Sequence, residues 1–411
     1  MSALRVALIA SNRFPIAQPF AGGLEAHVWH LARGLLAAGH QVTLFASEGS
    51  DASLGCPGLT VQKLRLSNAA IADPAMPAWS FMNDHHAYLS LMLDLAGAAR
   101  DDFDVIHNHS LHYLPLAHAP ALSTPMICTL HTPPTPWLES AIRLTGGAGV
   151  HFAAVSRHTA RAWAPLVSDI EVVPNGIDID TWPLGAGGGP LVWFGRFTSE
   201  KGPHLAIDAA RQAGRDLVLA GPLSDSAYFE AAVAPRLDSR IRYLGHLPHA
   251  ELAALVGRSS AALVTPMWDE PYGLVVAEAL SCGTPVIAFA RGGIPEIVDD
   301  TCGRLITPGS TSAMAAAISE VTALPRAEVR RRALERCSAD AMLARYLAMY
   351  DRAIESPEAK SHDRLLHSSQ RARTPGARLQ HKRAPSAAGH RADVSSRDPS
   401  SSVRHGGAAT A

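Results

Sequence analysis

The chain has 411 residues, 47% hydrophobic and 18% charged, with a formal net charge of -1. That balance suits a folded protein with a sizeable core and room for two domains, and it excludes the global basic charge that nucleic acid or an anionic membrane would select. No apolar run approaches transmembrane length, which limits any membrane contact to a peripheral one. The five cysteines (Cys56, Cys128, Cys282, Cys302, Cys337) are scattered without metal or redox spacing and read as reduced core thiols of a cytosolic protein.

Leu4 to Ala10 is too short for a signal-peptide core and reads as a strand buried on both faces. A loop carrying Gly22-Gly23-Leu24-Glu25 follows. From Leu24 apolar residues recur at helical spacing (Val28, Leu31, Leu35) and stop at Gly39, before a strand at Val42 to Ala46. This is the first βαβ unit of a doubly wound sheet. The G-x-G-x-x-G fingerprint is missing, which disfavours an ordinary dinucleotide site. The glycine pair has two readings: relief of crowding at the helix start, or room for a ligand against the backbone.

Residues 60–100 are broken by Pro74 and Pro77, with a helix expected from Tyr88 to Arg100. Strands are expected at 104–109 and at Met126 to Leu130. The second ends in His131-Thr132-Pro133-Pro134, which puts His131 at a strand C-terminus. The chain has 20 histidines, so a plain core or surface role is the ordinary reading of any one. His107, His109 and His112 lack a carboxylate partner at metal spacing, so no metal is expected. A further strand covers Phe152 to Ser156, and Glu171 to Asp178 runs into a turn.

Trp182 to Pro190 is rich in glycine and proline and reads as a flexible linker. A second alternation begins with the strand Leu191 to Arg196, then Lys201-Gly202 and a helix over 203–213. Strands at 216–220, 241–244, 261–264, 285–289 and 303–306 alternate with helices at 227–237 and 250–257. Helices over 311–323, 326–336 and 339–354 end the folded part. The expected organisation is therefore an N-terminal domain over 1–182, a linker at 183–190, a C-terminal domain over 191–338 and a closing helix at 339–354. From 355 to 411 large apolar residues nearly vanish, and ten Lys/Arg face five Asp/Glu, so a disordered basic tail is expected. Such a tail reads either as a solvated extension or as a contact for anionic lipid or nucleic acid.

The most informative stretch is 265–285. A strand runs into a turn at Glu270-Pro271-Tyr272-Gly273, and an apolar helix is expected from near Tyr272 to Gly283, with Pro271 suiting its first turn. A helix N-terminus at a strand's C-terminal edge is where open α/β sheets hold ligands, and free amides of Gly273 and Leu274 suit an anion. Glu270 and Glu278 frame that turn. They read either as a helix cap and a solvated side chain, or as acceptors for groups on either side of a bound pyrophosphate.

Taken together, Gly22-Gly23-Leu24-Glu25, His131, Pro174-Asn175-Gly176-Ile177-Asp178, Gly195-Arg196 with Lys201-Gly202, Glu270/Glu278 and Gly292-Gly293-Ile294-Pro295-Glu296 resemble, in order, the retaining glycosyltransferases of family 4. The resemblance covers residues 4 to 350. It implies a GT-B fold: two doubly wound Rossmann-like α/β domains facing across a cleft. It implies transfer of a hexosyl unit from a UDP- or GDP-sugar to a glycan, lipid-linked or small-molecule hydroxyl. No cofactor is implied beyond that co-substrate, and no metal. The setting implied is the cytoplasm or the inner face of the membrane.

On the same resemblance, Arg196 and Lys201 bind the donor diphosphate, with Gly195, Gly273, Leu274 and Val275 adding backbone contacts. Glu270 accepts from the transferred sugar, Glu278 from the ribose, Gly23 approaches the phosphates and His131 contacts the sugar. Catalysis is expected from Arg196, Lys201, Glu270 and His131. The family commonly has Phe at the position of Tyr272, and the Pro-rich segment from His131 to Trp137 suits a subgroup-specific acceptor pocket. The competing readings are a nucleotide-sugar epimerase and a non-catalytic nucleotide-sugar-binding subunit on the same fold.

Overall fold

The computed structural model describes residues 3–55 and 64–356. The expectation of disorder from 355 onward lies outside the described residues, except that Glu355 ends the last helix. Cys56 also lies outside them. The other four cysteines are free and buried.

The first half alternates β1 (Arg5–Ile9), α1 (Gly23–Ala37), β2 (Gln41–Phe45), α2 (Asn68–Ile71), α3 (Trp79–Ala96), β3 (Val105–Asn108), α4 (Tyr113–His118), β4 (Met126–Leu130), α5 (Pro136–Thr145), β5 (Val150–Ala154), α6 (Arg157–Trp163) and β6 (Ile170–Val172). Its strands form one parallel sheet in the order β2-β1-β3-β4-β5-β6. The second half continues with β7 (Leu191–Phe194), α7 (Pro203–Gln212), β8 (Leu217–Ala220), α8 (Ser226–Tyr228), β9 (Ile241–Tyr243), α9 (His249–Arg258), β10 (Ala262–Val264), α10 (Leu274–Ser281), β11 (Val286–Phe289), β12 (Gly303–Ile306), α11 (Thr311–Val321), α12 (Arg326–Arg336) and α13 (Ala339–Glu355). Its parallel sheet has the order β12-β11-β10-β7-β8-β9. The central strands are buried end to end, as helices on both faces require.

Four expectations change. The helix expected at Tyr88 begins at Trp79 and stops at Ala96. Only its second half has a buried face (Ala87, Tyr88, Leu91, Met92, Leu95), so the periodicity surfaces late in the sequence. The segment 227–237 is helical but irregular, passing through a π stretch and a 3-10 turn, where Pro235 withholds a backbone donor. Helix α10 begins at Leu274, because Gly273 takes a left-handed conformation (φ 105°) and leaves Pro271 outside the helix.

The glycine-rich stretch after Trp182 is a strap laid on the second half, not a free linker. Gly185, Gly187 and Gly189 donate to the carbonyls of Cys282, Gly257 and Arg258 at 3.0, 3.0 and 2.8 Å. Arg326 fastens it, donating to the carbonyls of Gly185, Gly257, Ser259 and Cys282 at 2.7 to 3.0 Å. The chain finally returns: α13 buries Met342, Tyr346, Met349 and Tyr350 in the same core as Val6 and Leu8 of β1. The last helix thus belongs by packing to the first sheet, and the two halves form parts of one compact unit.

Candidate active site

Each sheet has one point where the strand order reverses. In the first it lies between β1 and β3, in the second between β7 and β10. Such points open a crevice at the strands' C-terminal ends. The loops there line a single cavity of about 350 Å³ between the sheets. All ten residues expected from the sequence line it: Gly23, His131, Gly195, Arg196, Lys201, Glu270, Gly273, Leu274, Val275 and Glu278.

On the side of the second sheet, β7 delivers Gly195 and Arg196, and a short turn over Ser199–Lys201 delivers Lys201. That turn is tied to the loop after β10 by Met267 N donating to Glu200 O at 2.7 Å and Thr265 Oγ1 donating to Gly202 O at 2.8 Å. Lys201 Nζ therefore meets Glu270 Oε2 at 2.6 Å, in a pair that is largely buried. Trp268 Nε1 donates to the same oxygen at 3.0 Å, and the ammonium lies 5.1 Å from the Trp268 ring. Arg196 lies 3.7 Å from Glu200.

Helix α10 starts at the cavity with no side-chain cap. Its first internal bond is Val276 N to Gly273 O at 2.9 Å, so the amides of Leu274 and Val275 precede the helical ladder. Glu278 stands one turn further in, where burial pushes its carboxyl up to about 8. Across the cleft α1 also begins uncapped, at Gly23. The two helix starts nearly touch: a methyl group on Gly23 would sit 2.8 Å from Leu274 Cδ1. Two positive helix ends, with Arg196 and Lys201 lining the same cavity, are groups suited to an anion.

Two charged residues of this cleft carried no role in the sequence reading. Glu25, in the first turn of α1, is buried, and that burial raises its carboxyl pKa against the opposing pull of Arg196 and Arg13. Arg13 lines the cavity from the loop after β1. An acid in the first turn after Gly22-Gly23 is the sequence signal for the former. Arg13 has none, since only the sheet's switch point brings its loop here.

Behind the cavity lies a histidine cluster. His131 and His109 share a hydrogen bond of 2.9 Å between Nε2 and Nδ1. His27 packs on both, with ring centroids at 4.9 and 5.2 Å. His107 packs against His109 at 3.9 Å, its ring tilted by 42°, and bonds Tyr350 OH at 2.7 Å and Thr129 Oγ1 at 2.8 Å. Burial holds His107, His109 and His131 well below the usual imidazole range and brings His27 to about 3, so all four are neutral at pH 7. Among the described residues, His27, His109 and His131 form a group able to hold a metal ion, with one ring nitrogen each within 4.8 Å of the others. It differs from the trio weighed in the sequence, because α1 supplies His27 and His112 points elsewhere, stacking on Tyr88.

The Gly292-Gly293-Ile294-Pro295-Glu296 motif buttresses the acidic loop. Gly292 has φ 61°, and a side-chain carbon there would sit 2.0 Å from Glu270 O. Glu296 reaches across to the first half and accepts from the amides of Arg157 and His158 at 2.9 and 2.8 Å, capping α6. Beside it, Ser156 Oγ donates to Pro271 O at 2.5 Å.

Comparison with known proteins gives the same picture. A family model described as Glycosyltransferase Family 4 matches residues 21–181, and one described as Glycosyl transferases group 1 matches residues 189–337. A glycogen synthase of Mycobacterium tuberculosis is 30% identical over 352 residues, covering 75% of this chain and 84% of that protein. A D-inositol 3-phosphate glycosyltransferase of Mycobacterium bovis is 27% identical over 405 residues, covering 83% and 82%. Among solved structures, AviGT4, a glycosyltransferase involved in avilamycin A biosynthesis, has a TM-score of 0.61 at 24% identity, covering 85% of this chain and 98% of its own. HepE of Anabaena in complex with UDP-glucose has a TM-score of 0.66 at 18% identity, covering 85% and 99%. No helix among the described residues is long and apolar enough to cross a membrane. With its two parallel six-stranded sheets, one cleft and both halves matched, the chain belongs to the group 1 glycosyltransferases and has the GT-B fold.

Proposed function

We propose that this glycosyltransferase transfers a hexosyl unit from a nucleotide diphosphate sugar to a hydroxyl acceptor with retention at the anomeric carbon. The observation that carries the donor class is the convergence of two uncapped helix starts, Arg196 and Lys201 on one cavity. A diphosphate is the donor group that such a concentration of positive ends would select. Glu278 takes the ribose hydroxyls and Glu270 the hydroxyls of the sugar, while neutral His131 exchanges hydrogen bonds with that sugar without acting as a base.

In the step itself, the bond from the anomeric carbon to the donor phosphate oxygen breaks, and the acceptor oxygen bonds the same carbon from the same face. The acceptor's proton passes to a donor phosphate oxygen, and the nucleoside diphosphate leaves. Arg196, Lys201 and the amides of Leu274 and Val275 stabilise the charge growing on that leaving group, ordinarily the largest catalytic contribution. These fixed cations do the work a metal ion performs elsewhere. Glu270 is not a covalent nucleophile on this reading, because its carboxylate is held by Lys201 and Trp268.

The test is a thermal-shift panel of UDP, GDP, ADP and their sugar conjugates, with magnesium or EDTA, followed by NMR of the anomeric proton in donor and product. A ligand that binds only the native state raises the melting temperature. Stabilisation by one nucleotide in EDTA and a product of unchanged anomeric configuration are expected. An inverted product, or stabilisation that requires magnesium, would overturn the mechanism.

A further inference from the structure

The strongest feature outside the donor cavity is a ladder of rings on the first half. Tyr88, buried in α3, is anchored by its hydroxyl, which donates to Ala10 O at 2.8 Å and accepts from Asn12 N at 2.9 Å. His112 stacks on Tyr88 with centroids 4.5 Å apart, Tyr113 on His112 at 4.7 Å, and Trp137 on Tyr113 at 5.5 Å. The successive planes are 22°, 25° and 23° apart, so each ring lies flat on the one beneath it up to the outer end. That ring, Trp137, is 55% exposed. Phe81 flanks it at 6.0 Å and stacks on His85, whose Nδ1 lies 2.9 Å from Tyr113 OH.

Three properties identify what such a platform holds. It is continuous with the cleft: the loop after β3 gives Leu111 to the cavity and His112 and Tyr113 to the ladder, and the loop after β4 gives His131 and Thr132 to the cavity and leads to Trp137. It is held at both levels: Thr135 caps α5 and Pro136 sets its first turn, which fixes the backbone under Trp137, and the indole itself rests on Tyr113. It is not cationic: across residues 79–96, 109–118 and 131–145 the only Lys or Arg is Arg143, which pairs with Glu139 at 2.7 Å. A half-exposed indole backed by Tyr113 and flanked by Phe81, with the Tyr113 hydroxyl and the His85 imidazole hydrogen-bonded close behind, matches a pyranose ring. The sugar's C–H face lies on the aromatic plane while its hydroxyls meet these polar groups. An anionic lipid surface would call for basic residues at this place.

We propose that Trp137, backed by Tyr113 and flanked by Phe81, is an acceptor subsite that stacks a sugar ring of an oligosaccharide whose reactive end lies in the cleft. This deepens the reading of the chain as a nucleotide-sugar-dependent transferase and rests on it.

The experiment compares wild type, Trp137→Ala, Trp137→Phe and Phe81→Ala as full chains. Direct binding of maltoheptaose, cellohexaose and mannohexaose is measured by calorimetry, which needs no turnover. Transfer kinetics then compare the best-bound oligosaccharide with its disaccharide. Wild type should bind at least one oligosaccharide, and Trp137→Ala should weaken it at least tenfold, with Trp137→Phe in between. KM for the long acceptor should rise in step, KM for the disaccharide should change less than twofold, and nucleotide thermal shifts should stay as in wild type. No oligosaccharide binding by wild type, equal losses for long and short acceptors, or loss only of binding to phosphatidylglycerol vesicles would overturn the proposal. Oligosaccharide binding that depends on Trp137 in a protein no nucleotide stabilises would uphold the subsite and defeat the transferase reading.

Discussion

Lys201 Nζ lies 2.6 Å from Glu270 Oε2, joining the cation assigned to the donor phosphates to the carboxylate assigned to the donor sugar. Each partner of a largely buried pair leaves an uncompensated charge when the other is removed. The pair therefore orders both side chains, and an incoming diphosphate must share Lys201 with Glu270. Lys201→Ala should lower kcat/KM about 100- to 1,000-fold and weaken nucleoside diphosphate binding. Glu270→Gln should lower kcat while leaving nucleoside diphosphate affinity near that of wild type, since the freed lysine still meets phosphate. Steady-state kinetics with calorimetric titration of the nucleotide checks both. Equal loss of nucleotide affinity in the two variants would contradict the division of roles.

Glu296 sets up a second prediction, because it caps α6 of the first half from the second half, beside the Ser156–Pro271 contact. A charged N-cap of this kind contributes about 1–2 kcal/mol. Glu296→Ala should cost that much in urea unfolding and should also raise the donor KM, because the cap and the acidic loop share one buttress. Gly292→Ala should be the more damaging change for activity, since its methyl group collides with the Glu270 backbone. A Gly292→Ala variant with wild-type kinetics would remove the buttress from the account.

Much of this site was legible because the sequence signals are local. Gly22-Gly23, Gly195-Arg196 and Glu270 to Gly273 each sit where a strand pattern gives way to a helix pattern, and the parallel topology alone carries them to one edge. What sequence hid depends on distant contacts. The strap after Trp182 reads as a free linker because the Arg326 that fastens it lies far along the chain. The first half of α3 has no buried face to give it a period, so its start was invisible. The His27–His109–His131 group joins a helix to the ends of two strands, a relation no spacing rule encodes.

Glu278 yields a prediction about pH. Its folded carboxyl is raised from the ordinary 4.5 to about 8. Between those values the unfolded chain has lost the proton that the native chain keeps, so this group's contribution falls as pH rises from 4.5 to 8 and is level above it. The decline is at most about 1.4 kcal/mol per pH unit. Glu278→Gln should flatten that decline in the ligand-free protein. Ribose hydroxyls donating to the carboxylate favour its ionised form, so the thermal shift given by the nucleotide should be larger at pH 9 than at pH 6 in wild type. A nucleotide shift that keeps the same pH dependence in Glu278→Gln would assign the effect to another group.

The histidine cluster works in the opposite direction. His27, His107 and His109 are fully buried and neutral, with His27 near 3 and the other two held well below the usual range by burial. Below pH 6.5 the unfolded chain takes up protons at these rings while the native chain does not. Their contribution is therefore complete above pH 6.5 and is lost as pH falls towards the folded values. Three rings together can remove about 4 kcal/mol per pH unit, a large fraction of the stability of an ordinary domain. Urea unfolding at pH 7.5, 6.0 and 5.0 should show a steep loss beginning just under pH 6.5. His27→Leu should lessen that slope by about one proton, because it removes one ring that is protonated only in the unfolded chain, and it breaks no hydrogen bond among the described residues. His107→Phe is a different case: it strips partners from Thr129 and Tyr350 and should lower stability at every pH while also reducing the slope. A slope unchanged in His27→Leu would mean that this ring takes up its proton equally in the folded and the unfolded chain.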